Sequence, residues 1–90
     1  MNERTRAYQF IFRDVNQRIA HISHVQAERA SNFLCECGQE DCISMIRLEL
    51  AEYDEVRRTS GFFIAAPGHA VEGLDRLIEV RQGFDVIVQE

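Results

Sequence analysis

Three cysteines fall within eight residues of this 90-residue chain, in the run Cys35-Glu36-Cys37-Gly38-Gln39-Glu40-Asp41-Cys42. No other feature restricts the fold as much. A chain this short buries only about 60 to 65% of the surface that its unfolded form exposes, so a metal, a disulfide or a partner is often recruited to close it. Three thiols cannot all pair within one chain, and a Cys-x-Cys disulfide closes a small strained ring. In a reducing compartment the physical alternative is a metal. Soft thiolates on a short loop containing Gly38 converge readily on one Zn²⁺, which prefers four tetrahedral ligands drawn from Cys and His.

One ligand is missing, and the three histidines are the candidates for it. His21 and His24 lie at i, i+3 within a helical stretch, where no acid or cysteine completes a set, and they read as solvated side chains. His69 follows Pro67-Gly68, a strand-stopping pair that allows the chain to turn back toward the cysteines. The candidate metal centre is therefore Cys35, Cys37, Cys42 and His69, a closed ligand set that suits a structural site rather than a catalytic one.

Composition excludes other classes. With 46% hydrophobic and 28% charged residues, one Pro and five Gly, the chain is neither a disordered tail nor a collagenous segment. Its longest strictly apolar run, Phe62 to Ala66, is far shorter than the roughly 20 residues of a membrane helix, and the N-terminus lacks the apolar core of a secretion signal. These features predict a cytoplasmic protein. The net charge of −5 is uneven. Residues 1–34 carry five Arg against three acids (+2), and residues 35–90 carry five Arg against twelve acids (−7). An acidic body disfavours duplex DNA as the main ligand, because nonspecific affinity needs clustered cations.

From about Thr5 to Ala30 the sequence lacks Pro and Gly, and apolar residues recur at Tyr8, Ile11, Phe12, Val15, Ile19, Ile22, Val25 and Ala30. That spacing predicts a long amphipathic helix, within residues 1–31, whose apolar stripe packs on the protein's own sheet. At about seven turns it is longer than a small sheet needs, which predicts an overhang available for association. Ser31 and Asn32 mark its end, and residues 33–90 form the zinc-binding body of a single domain. Ile46, Leu48 and Leu50 alternate with Arg47 and Glu49 as a half-buried strand. Ala51 to Arg58, with acids early and arginines late, predicts a short second helix. Phe62 to Ala66 reads as a central strand. Leu74 to Val80 and Phe84 to Val88 flank Gln82-Gly83 as a closing hairpin. The fold class is α+β with a small, mostly antiparallel sheet.

Taken together, FLCECGQEDC, IRLELAEYDEVRR and FFIAAPGH resemble a group of small bacterial proteins best known from actinobacteria, over most of residues 10–89. The match includes Phe12-Arg13-Asp14-Val15-Asn16, the Cys-x-Cys with a third Cys, the AEY helix and the PGH. The resemblance implies Cys35, Cys37, Cys42 and His69 as metal ligands and brings no activity. At Glu49 the chain departs from the Thr that such relatives carry as a helix cap, so the helix start is less firmly fixed. The iron–sulfur CDGSH family also begins Cys-x-Cys, but it spaces its third cysteine further away and places a His shortly beyond it, unlike this chain.

No nucleophile with its base and orienting group, no phosphate-cradling glycine loop and no paired acids in an apolar setting are visible, so an enzyme is not expected. The leading expectation is a zinc-stabilised cytoplasmic regulatory or protein-interaction module, self-associating through its N-terminal helix. Two alternatives stand beside it. One is a nucleic-acid-binding regulator using Arg4, Arg6, Arg13, Arg18 and Arg29, which do not share one helix face. The other is a redox sensor whose clustered thiolates release zinc on oxidation.

Overall fold

The computed structural model describes residues 3–90, and the first two residues of the expected helical region lie outside it. Two helices and five strands follow the order α1 (Glu3–Val25), β1 (Ala30–Leu34), β2 (Met45–Glu49), α2 (Leu50–Arg57), β3 (Phe62–Ala65), β4 (Asp75–Arg81) and β5 (Phe84–Gln89). The α+β architecture is as the sequence predicts, with β1–β2 and β3-β5-β4 forming two separate antiparallel sheets. No described helix is long and apolar enough to cross a membrane.

The long helix ends earlier than its periodicity suggests. Ala27, at φ 57°, turns the chain out of α1, and Ala30–Leu34 is a strand paired with β2 from Ala30↔Glu49 to Leu34↔Met45. The residues expected to end the helix, Ser31 and Asn32, are in mid-strand. Strand β2 keeps the expected alternation, with Ile46 and Leu48 buried and Met45, Arg47 and Glu49 exposed. Phe33 stacks on Tyr53 of α2 with ring centroids 4.4 Å apart, joining the first sheet to the second helix.

The closing hairpin is formed as expected around Gln82-Gly83, with Gly83 at φ 91°. Its second strand, β5, is the central one and buries Phe84, Asp85, Val86 and Ile87. The Phe62–Ala66 segment, expected to be central, contributes an edge strand instead. It is nevertheless buried at Phe63, Ile64 and Ala65, because α2 and the cysteine loop cover it.

The orientation of α1 departs most from expectation. Its buried residues are Gln9, Asn16, Ala20 and Ser23, three of them polar, whereas Ile11, Val15, Ile22 and Val25 are exposed. At about 100° per residue the buried set lies on one side of the helix, and Ile11, Val15 and Ile22 lie roughly 120° around from it. Contacts with the body run from Arg4–Glu40 to His24–Asp54, so a face of the helix is uncovered rather than an overhanging end.

Hydrogen bonds to the sheets account for two of these polar residues, Asn16 and Gln9. Asn16 Nδ2 donates to the Leu34 carbonyl at 2.9 Å, and Asn16 Oδ1 accepts the Leu34 N–H at 2.8 Å, so one side chain satisfies both groups of a β1 residue. Gln9 donates to Asp75 at 3.1 Å and accepts from Gln89 at 2.7 Å, tying α1 to the hairpin ends. Buried polar groups of this kind are costly unless paired, and Gln9 and Asn16 are paired.

Two outcomes follow. Asn16→Asp replaces the Nδ2 donor by an oxygen facing the Leu34 carbonyl and the Glu36 carboxyl; it should lower unfolding free energy by about 3 kcal/mol, read from the denaturant midpoint. Glu49, the N-cap of α2, makes no side-chain capping bond. Glu49→Thr should therefore add about 1 kcal/mol and raise the melting temperature by about 4–8 °C.

Candidate metal centre

The cysteines occupy the connection between β1 and β2, and His69 arrives from the far end of β3. Cys35 begins the loop, its N–H donating to the Ser44 carbonyl at 3.1 Å, which extends the β1–β2 ladder by one step. Ala66-Pro67-Gly68-His69 is a tight turn closed by the His69 N–H to the Ala66 carbonyl at 3.0 Å. Proline presets the second position and Gly68 supplies φ 80° at the third, the requirement of a type II turn. Buried Asp85 holds the turn by accepting the Gly68 N–H at 2.9 Å.

This turn brings the imidazole onto the sulfurs. His69 Nδ1 is 3.5 Å from Cys42 Sγ and 3.6 Å from Cys35 Sγ. The donor atoms of Cys35, Cys37, Cys42 and His69 all lie within 4.8 Å of one another. A tetrahedral site with metal–sulfur bonds of about 2.3 Å and a metal–nitrogen bond of about 2.0 Å has S···N edges of about 3.5 Å. The two observed edges match that value. Three cysteines and a histidine are thus positioned to bind one metal ion, and among the described residues no other set of three or more Cys, His, Asp or Glu gathers in this way.

The loop is held by more than its ligands. The Glu36 N–H donates to the Ile64 carbonyl at 2.8 Å, its Oε1 accepts the Ile64 N–H at 2.8 Å, and its Oε2 accepts from Asn16 at 2.8 Å. The Ala66 N–H donates to Cys35 Sγ at 3.1 Å. Residues 35 and 36 therefore serve as a neighbouring strand for the edge of β3. Burial pushes the Glu36 carboxyl up to about 7, against the opposing hydrogen bonds from Asn16 and Ile64 and the charges of Arg57 and Arg13. Among the sulfurs, the neighbouring Cys35 pulls the Cys37 thiol down to about 5, while Cys35 itself is driven upward. One thiolate is favoured even without a cation, which eases metal entry because the ligand form is the deprotonated one.

Gly38 fixes the loop against α1. Its φ is 79°, and a Cβ there would collide with the Thr5 carbonyl and come within 2.7 Å of Gln9 Cγ. The sequence reading passed over Glu36, Asn16 and Gln9 as functional residues. Their legible signal was the seven-residue spacing of polar Gln9, Asn16 and Ser23 on an otherwise periodic helix.

The remaining histidines stand apart from this centre. His24 Nε2 lies 2.9 Å from Asp54 on the exposed surface. The arginines of α1 are largely engaged with the chain itself: Arg4 with Glu40, Arg6 with the Glu90 carbonyl, and Arg13 with the Ser60 carbonyl and the rings of Phe10 and Phe63. No family model, no curated protein and no solved structure matches the chain.

Gly38→Ala should cost about 2–4 kcal/mol, since left-handed strain and a backbone collision add. Gly83→Ala, also at positive φ but with open space around the added Cβ, should cost about 1 kcal/mol. Parallel thermal melts of the two variants check the contrast.

Proposed function

We propose that the chain is a non-enzymatic, zinc-stabilised protein-interaction module acting in the reducing cytoplasm. The observation that carries the metal half is the convergence of His69 Nδ1 on Cys35 and Cys42 at tetrahedral-edge distances from a segment 27 residues beyond Cys42. Three thiolates and one imidazole suit zinc in chemistry and number, and leave it a formal charge of −1. Protein donors fill all four positions, so no open coordination site is left to activate water or substrate. The zinc serves as a crosslink, joining the β1–β2 connection to the end of β3. The interaction half rests on α1, whose apolar stripe the body leaves exposed.

Apparent zinc binding energies are on the order of 10 kcal/mol in small peptides, comparable with the whole stability of a domain this size. Elemental analysis of protein purified without added metal should find one zinc per chain. Cys37→Ala and His69→Ala should both lose it, and chelation of the parent protein should abolish its cooperative melt reversibly, with zinc restoring it. Iron in place of zinc, or full zinc occupancy in His69→Ala, would overturn the assignment.

A further inference from the structure

The exposed face of α1 has a pattern of its own. Tyr8, Ile11, Val15, Arg18, Ile22 and Val25 follow one another at steps of 3, 4, 3, 4 and 3, the a and d spacing of a coiled-coil seam. Ile11 is 52% exposed, Ile22 54% and Val25 73%. The same stretch carries a shallow groove lined by Asp14, Gln17, Arg18, His21 and Ile22. The face toward the body mixes polar Gln9, Asn16 and Ser23 with Ala20 and the half-buried Ile19, and a zipper seam faces away from it.

We propose that this seam is covered by the α1 helix of a second copy of the chain, running antiparallel about a two-fold axis beside Val15 and Arg18. The spacing 3, 4, 3, 4, 3 reads the same in both directions, so the seam is self-complementary under that operation. Ile11 then meets the partner's Ile22, Tyr8 the partner's Val25, and Val15 the aliphatic stem of the partner's Arg18. Charge selects the same arrangement. Asp14 sits next to the partner's Arg18, and the two-fold repeats the pair; neither residue has an ion-pair partner among the described residues of its own chain. Parallel pairing would instead stack Arg18 on Arg18 in one layer.

Geometry leaves room for the second helix. The body lies roughly 120° around α1 from the seam, so the antiparallel two-fold sets the two bodies side by side with the helices along one edge. Packing against β1 already holds α1 helical, so association need not supply the ordering cost that an isolated helix of this length would demand. The proposal rests on α1 as the association element of the function proposed above and gives that element its occupant. It does not depend on which metal fills the centre.

Zinc-loaded protein at tens of micromolar should run as a dimer, twice the 10.4 kDa chain mass, by light scattering after size exclusion. Ile22→Glu, on an exposed position, should weaken dimerisation at least tenfold with helicity and zinc content unchanged. D14R and R18D should each be monomeric alone, through like-charge contact, while an equimolar mixture of the two should form a heterodimer. That rescue requires the two α1 seams to meet at positions 14 and 18. A monomeric parent protein, a dimer that survives Ile22→Glu, or a D14R and R18D mixture that stays monomeric would overturn the proposal. Zinc content measured on the same samples scores the metal assignment separately.

Discussion

The structure depends on the way residues 35 and 36 act as a strand for an edge that has none. Its two sheets share no strand pairing, and β3 would otherwise expose the backbone of Ile64 and Ala66. Glu36 satisfies both groups of Ile64, and Cys35 Sγ accepts the Ala66 N–H. An unpaired edge invites association with other chains, and here a loop blunts it using one carboxylate and one sulfur. The bonds that close the edge also hold the Cys35 sulfur, so closing the edge and placing that sulfur are one event.

A sulfur that accepts a backbone N–H is stabilised as a thiolate, and a thiolate is what a metal requires. At Cys35 the Ala66 N–H lowers the cost of charge without outweighing Cys37 and burial, which drive that thiol upward, so a bound cation would have to supply the rest. Glu36 opposes this in part. A carboxylate between two thiolate ligands adds negative charge to a buried region, and burial raises its affinity for a proton. Arg57 of α2 and Arg13 of α1 offset that charge, while Asn16 supplies a neutral donor. Among the described residues no arginine bonds to the cysteine sulfurs, so a bound cation would supply the neutralising charge of the site.

What was legible in the sequence was whatever short-range chemistry dictates. The cysteine window, the Pro67-Gly68 turn, the alternation of Ile46 and Leu48 and the two-residue turn at Gln82-Gly83 each carry their geometry locally, and His69 follows from the turn that precedes it. The end of α1 was not legible, because Ala30 to Leu34 has no strong propensity and becomes a strand only through its pairing with β2. Nor was the edge position of β3: an apolar run is compatible with any strand buried on both faces, and here loop and helix do the burying. The inward face of α1 was misread for a related reason. Periodicity reports where apolar residues are, and the usual inference that they face the core fails where the helix meets hydrogen-bonding groups, the Leu34 backbone for Asn16 and the Asp75 and Gln89 side chains for Gln9.

That failure has a physical meaning. A helix that lays Gln9 and Asn16 against its own domain gives up part of the hydrophobic gain of docking and replaces it with hydrogen bonds, from Asn16 to the β1 backbone and from Gln9 to the side chains of Asp75 and Gln89, each worth less net than the burial of an isoleucine. Packing of α1 is thus underdriven by its own body, and the apolar area that would ordinarily hold it, at Ile11, Val15 and Ile22, is left facing water. Neighbouring exposed apolar residues on one rigid helix form a patch, which soluble surfaces seldom retain without a use for it. The arrangement is consistent if the polar face locates the helix by directional bonds while the apolar face waits for another surface. Directional bonds fix the angle at which the seam is presented, and a seam held at one angle meets its partner with little ordering left to do.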